Sequence, residues 1–247
     1  MIKKHKIPKL ILIYAGLFFL LGKSEFLHAQ DTGLVKQPYL FFPYPLQEKK
    51  WNVSLGYTMT GLPQDIVEEV QVRAPLLDLH AIRKLSRSFY IDGRFQTQII
   101  QTRMALGLRY AFILSDRLSM SIGDDIAWWH GKLEVASFDT KANGWQNYPN
   151  VSLGLRFKDR VLMTLRGEAL LNLGYSTTIA TDITDKHGFQ FAGWAGSILF
   201  EQPFTRKLHM TIGFRGQYTD FFWQTWSLFE TFDRRIFYPE LIVGFIL

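Results

Sequence analysis

The 247-residue sequence contains no cysteine. That absence excludes disulfides, thiolate metal sites, cysteine nucleophiles and a lipidated N-terminal cysteine, and it is compatible with an oxidising compartment. Histidine is scarce as well: after residue 29 only His80, His130, His187 and His209 remain, and none forms a pair or a carboxylate cluster with metal-ligand spacing, so no metal and no cofactor is expected. A surplus of one charge sign is nearly missing too. The formal net charge is +6, but five of the 28 basic residues and one of the 22 acidic ones fall in the first 29 positions, leaving an excess of about +2. A nucleic-acid partner therefore has no support. Long apolar runs are absent beyond residue 29, and the run at 10–21 is twelve residues against the roughly 20 of a spanning helix.

That run is framed as a signal peptide over 1–29: Lys3, Lys4, Lys6 and Lys9 precede it, and a short polar stretch ending at Ala29-Gln30 follows. Residues 30–50 come next, with Pro38, Phe41, Phe42, Pro43, Tyr44 and Pro45 close together. Proline at alternate positions prevents a central strand. The segment is expected on the periplasmic side, as a tail against a rim, with a plug entering a lumen as the sharper alternative.

From residue 51 onward, 15% aromatics and 19 glycines favour sheet over helix. Trp51, Val53, Leu55, Tyr57 and Met59 alternate strictly with Asn52, Ser54, Gly56, Thr58 and Thr60. The same two-residue period recurs around 103–112, 118–123, 151–157, 163–175 and 208–218, and in the last stretch Phe237, Leu241, Val243, Phe245 and Leu247 oppose Glu240, Ile242 and Gly244. Residues 89–100 and 187–200 fit less cleanly, and 75–82 is a weaker strand. The expectation is about ten strands, with eight as the alternative, and a short helix after Pro63 through residue 70.

Two asymmetries select a membrane barrel over a soluble one. Charges gather at mid-strand on the non-apolar face, where a charge turned to lipid would cost about 2–4 kcal/mol at the bilayer midplane. Short connections at 115–117, 158–160 and 202–207 alternate with longer ones at 131–147, 176–186 and 220–235. Tyr57, Trp128, Tyr148, Tyr175 and Tyr218 lie toward the long loops, and Trp51, Tyr110, Phe112, Phe157 and Phe245 toward the short turns, as two interfacial girdles would. With an apolar last strand and a leader, the chain over 51–247 resembles small single-chain Gram-negative outer-membrane β-barrels of the OmpA/OmpX-like class. The resemblance implies an all-β, antiparallel, up-and-down transmembrane barrel in the cell outer membrane after export, with outer-membrane lipid and the barrel insertion machinery as partners.

Function is less legible. Arg94, Arg103, Arg109, Asp125, Arg156, Arg166, Glu168, His209, Arg215 and Glu240, with Asp78, His80 and Asp92, are expected to form a charge network in the lumen. Its arginine surplus would tolerate a small anion in a narrow pore. The aromatic run at 221–232, with Phe221, Phe222, Trp223 and Trp226, is a candidate docking surface for another envelope protein, or a cover over the barrel mouth. The leading expectation is a non-enzymatic barrel with a structural, docking or narrow-channel role. An outer-membrane enzyme processing lipid A or peptides is the alternative, with His130 and His187 near Asp124, Asp125, Ser176, Asp182 and Asp185. No catalytic residue is assigned.

Overall fold

The computed structural model describes residues 37–45, 50–63, 73–135, 138–157, 160–179, 182–226 and 234–247. The expected signal peptide, and the expected helix beyond Pro63, lie outside the described residues. Period-two alternation folds as read. The strands are β1 (Trp51–Gly61), β2 (Arg73–Lys84), β3 (Phe89–Gln98), β4 (Gln101–Ser115), β5 (Leu118–Val135), β6 (Phe138–Phe157), β7 (Val161–Ile179), β8 (Asp182–His187), β9 (Gln190–Pro203), β10 (His209–Thr219) and β11 (Ile236–Ile246).

Every neighbouring pair is antiparallel, and the first and last strands pair from Ser54↔Ile246 to Thr60↔Glu240. The β6–β7 pairing closes the ring, giving a ten-stranded up-and-down barrel, while β8 adds only to the far end of β7. Closure leaves the barrel wall without a free edge, so its backbone donors and acceptors are paired within the ladder.

The wall is oily outside and polar inside. Leu55, Tyr57, Leu106, Leu108, Ile126, Val151, Phe214 and Leu241 are exposed, whereas Asn52, Ser54, Thr58, Thr60, Asp78, Arg103, Arg109, Glu168 and Glu240 are buried. This inverts a soluble protein's pattern, and only a hydrocarbon surround makes that outer face favourable.

The uneven connections are partly strand. β5, β6 and β7 run 18, 20 and 19 residues, well past the roughly 9–11 needed to cross a bilayer. The stretch 131–147, expected as a long loop, is the upper part of the β5–β6 hairpin, paired from Gly131↔Ala142 to Val135↔Phe138. Two girdle assignments are also corrected: Tyr148 and Tyr175 are buried in the lumen. For Tyr175 the cause is a bulge. Trp145 pairs with Gly174 and Gln146 with Asn172, so Leu173 is an extra residue and parity flips beyond it. A second irregularity, between Leu170 and Leu171 opposite Gly193 and Phe191, turns two successive residues, Ala192 and Gly193, inward and explains the poor alternation over 187–200. Gly193 has φ of 154°. A Cβ there would stand 2.0 Å from the Tyr218 carbonyl oxygen, so only glycine fits this close approach.

Candidate functional site: a lumen filled in three layers

At the short-turn end the lumen holds residues 39–45. This is the plug alternative rather than a tail against the rim. Tyr39, Leu40, Phe41, Phe42 and Tyr44 are buried. The turn is held by its backbone. Glu201 of β9 accepts from the amides of Leu40 (2.6 Å), Phe41 (3.2 Å) and Phe42 (2.8 Å). Arg109 donates to the Leu40 carbonyl at 2.8 Å, and Asn52 to that of Tyr39 at 2.6 Å. The Tyr44 carbonyl accepts from the hydroxyls of Tyr39 and Tyr90. Space for the ring of Phe42 comes from Gly154, where a Cβ would lie 2.7 Å from it. An apolar turn can enter a polar lumen because its backbone groups find charged and polar partners there.

Above the plug lies the ionic layer. Arg94 pairs with Asp78, and Arg109 with Asp92 at 2.5 Å, the same aspartate that contacts His80 at 2.9 Å. Arg166 bridges Asp125 and Glu168, and Arg215 joins Glu168 at 2.6 Å to Glu240 at 3.0 Å. Phe41 is the point of contact with the plug, its ring 4.7 Å from that of His80 and 6.0 Å below the Arg94 guanidinium. Small inward residues make room: a Cβ on Gly107 would collide with the Asp125 carboxylate.

The long-loop end is closed by aromatics. Phe221, Phe222, Trp223 and Trp226 are each no more than 4% exposed, which corrects their assignment as a docking surface. The segment, including the 3-10 turn Trp223–Thr225, folds back into the mouth. Phe221 stacks on Tyr175 at 4.5 Å, Phe222 packs on Tyr238 at 4.5 Å, and Gln224 donates to Thr60 at 3.0 Å. Trp226 rests on Gly131, where a Cβ would stand 2.1 Å from the indole. Four aromatic side chains in water would be unfavourable, and the mouth offers them an apolar cluster that includes Trp129, Tyr148, Leu170 and Ile236.

Of the predicted network, Arg94, Arg103, Arg109, Asp125, Arg166, Glu168, Arg215 and Glu240 meet in the middle layer. Arg156 and His209 do not. They stand at the short-turn rim, opposite Leu162 and Ile246, because their strands have nearly ended there. The arginine surplus also disappears, since Arg156 leaves the layer and Glu201 joins the lumen acids, giving six carboxylates, those of Asp78, Asp92, Asp125, Glu168, Glu201 and Glu240, against five guanidinium groups among the described residues. Glu201 was not foreseen; after the Gly193 irregularity it falls on the inward parity. Of the histidines named for an enzyme, His130 stacks on Trp128 and His187 on Tyr175, while the side chains of Asp182 and Asp185 lie outside the described residues.

With an apolar band outside and ion pairs within, the fold is a transmembrane β-barrel. No protein-family model matches the chain, and none of the curated proteins does. Among solved structures it is similar to Neisserial surface protein A (NspA), with 12% identity over 81% of this chain and 97% of that one and a TM-score of 0.36. It is similar to Ail, the attachment invasion locus protein of Yersinia pestis, with 8% identity over 80% and 97% and a TM-score of 0.39. It is also similar to the translocator domain of the autotransporter NalP from Neisseria meningitidis, with 9% identity over 81% and 88% and a TM-score of 0.42.

Proposed function

We propose that this chain is exported to the outer membrane and serves there as a sealed barrel, with a structural or docking role in the envelope rather than a conducting one. The observation that carries this reading is the filling of the lumen from both ends, by residues 39–45 below and 221–226 above, around an ion-paired middle. The cavity within the ionic layer is about 40 Å³, room for roughly three waters, and a second, against Ser54, Asp78 and Thr211, is about 10 Å³. Docking to another envelope protein then falls to the upper β5–β6 hairpin, which stands clear of the apolar band and carries the surface pairs Lys132–Glu134 and Lys141–Asp139. In this reading outer-membrane lipid covers the wall and the insertion machinery assembles it.

The test is fractionation of the expressed protein with heat-modifiable gel mobility, followed by reconstitution in planar bilayers. The expected outcome is a membrane-fraction protein that migrates faster unboiled and gives no steady conductance. A stable open level from the full chain would overturn the sealed reading, and a detergent-free soluble protein would overturn the membrane one.

A further inference from the structure

The two ends of the barrel differ in charge. The four turns at the short-turn end, over 83–89, 115–118, 156–161 and 202–209, contain nine lysines and arginines against two acids. The connections at the opposite end, over 62–73, 98–101, 131–142, 176–189 and 220–235, contain six against ten. Each short turn contributes an exposed cation: Arg83 and Arg87, then Arg117, Arg160, and Arg206 with Lys207. Among the described residues the exposed ion pairs, Lys132–Glu134 and Lys141–Asp139, both lie at the other end, and none of these six cations has a carboxylate partner.

Depth and spread say what kind of anion such cations meet. Arg83 stands on the outer wall, directly opposite exposed Trp51 in the β1–β2 ladder, with its guanidinium 5.1 Å from the centre of that ring. Phe157 and Phe204, beside the turns that carry Arg160 and Arg206, are exposed as well. Exposed aromatic rings at strand ends mark the level of lipid headgroups. Long cationic side chains just beyond such rings place their charge among the phosphates. The turns belong to the β2–β3, β4–β5, β6–β7 and β9–β10 hairpins, so the cations encircle the barrel. A protein docked on the end face would need neither a charge on every turn nor one on the wall, whereas lipid surrounds the whole circumference.

We propose that these six residues form a collar that binds anionic phospholipid headgroups, of the phosphatidylglycerol kind, in the leaflet that the short turns face. This rests on the reading of the chain as an outer-membrane barrel. A phosphodiester offers two free oxygens and one negative charge, which a guanidinium meets with two parallel N–H donors. A zwitterionic headgroup brings its own cation to the same phosphate, so the collar selects lipid by net headgroup charge.

Native mass spectrometry of the folded full chain, released from nanodiscs of phosphatidylglycerol and phosphatidylcholine in equal amounts, tests this. Retained phosphatidylglycerol should exceed retained phosphatidylcholine by about fivefold, the factor that about 1 kcal/mol per contact produces. Changing all six residues to glutamine should abolish the excess while keeping heat-modifiable mobility, and changing the five arginines to lysine should preserve it. Should the glutamine variant fail to fold, two half-sets, Arg83→Gln with Arg87→Gln and Arg117→Gln, and Arg160→Gln with Arg206→Gln and Lys207→Gln, should each reduce the excess. Equal retention of the two lipids by the folded chain, or an excess unchanged in the glutamine variants, would overturn the collar and leave the membrane reading standing. A chain that stays soluble without detergent, yet sediments with phosphatidylglycerol vesicles through these residues, would do the reverse. Binding of soluble polyglutamate to the chain in phosphatidylcholine nanodiscs, with no lipid preference, would assign the charge to an acidic protein partner and overturn the lipid collar.

Discussion

Glu201→Gln should release the plug without melting the barrel. In the native chain one carboxylate takes three successive amide donors, those of Leu40, Phe41 and Phe42. Glutamine keeps one acceptor oxygen and replaces the other by an NH₂ group, which meets an amide donor head-on. Hydrogen bonds to charged groups contribute about 1.5–3 kcal/mol each. Losing the charge from all of them and one bond outright should cost the plug about 2–4 kcal/mol, which converts to an opening about 30- to 1,000-fold more populated. The strands should not follow, because the β9–β10 and β7–β9 ladders around position 201 do not use its side chain. Hydrogen exchange read by mass spectrometry in detergent checks this. Peptides covering residues 39–45 should exchange faster by that factor, while those from β1, β9 and β11 keep native protection. Unchanged exchange in the plug would refute the latch, and a uniform loss of protection would show that plug and wall unfold as one unit.

Three further outcomes follow from the same geometry. Gly131→Val puts a side chain where the Trp226 indole lies; overpacking of this kind costs about 1–3 kcal/mol, and exchange should rise in 221–226 but not in 39–45. Arg215→Met strands the Glu240 carboxylate and leaves Glu168 to Arg166 alone; the expected loss is about 3–5 kcal/mol in urea unfolding, partly regained in a double variant that also carries Glu240→Gln, and an unaltered single variant would contradict the ion-layer account. Asp124 faces outward beside exposed Leu106, Leu108 and Ile126, hydrogen-bonded by Asn147 at 2.5 Å; replacing both by leucine should stabilise the barrel in lipid bilayers by about 1–2 kcal/mol, and a loss of stability would mean that something polar meets this face.

The wall was legible because alternation is a local signal. In β4, Met104, Leu106 and Leu108 sit outside and Arg103 and Arg109 inside, as the period alone demands. Legibility failed where one residue changed parity. Leu173 and the Gly193 irregularity each shift the pattern by one, and bulges leave no composition signature beyond an unremarkable glycine. The fillers were harder still. Residues 39–45 and 221–226 have no period, and what places them is a partner far away in sequence: Glu201 for one, Gly131 and Tyr175 for the other. The network was read by residue type, yet which arginine meets which acid depends on strand height, which put Arg156 and His209 at the rim.

Strand number supplies a reason for the three layers. Barrel width grows with the number of strands, and at eight the inward side chains just fill the interior. With ten, short side chains from the wall no longer meet across the axis, and where no long side chain reaches over, a lumen of that width must either hold water or receive main chain. Here it receives main chain at both ends. Arginine and glutamate reach farthest from the wall, so the middle is spanned by chains such as Asp125–Arg166–Glu168–Arg215–Glu240, in which each guanidinium joins two acids from different strands. Shorter apolar side chains could not bridge that distance. The turn at 39–45 and the lid at 221–226 cover this layer from water below and above, which strengthens its charge pairing. The ion layer in return offers Arg109 and the ring-facing His80 and Arg94 to the plug. On this account plug and ion layer are energetically coupled through Phe41. Phe41→Ala should therefore loosen residues 39–45 and lower the cost of Arg94→Met, so that the double variant is less damaging than the two single changes added together.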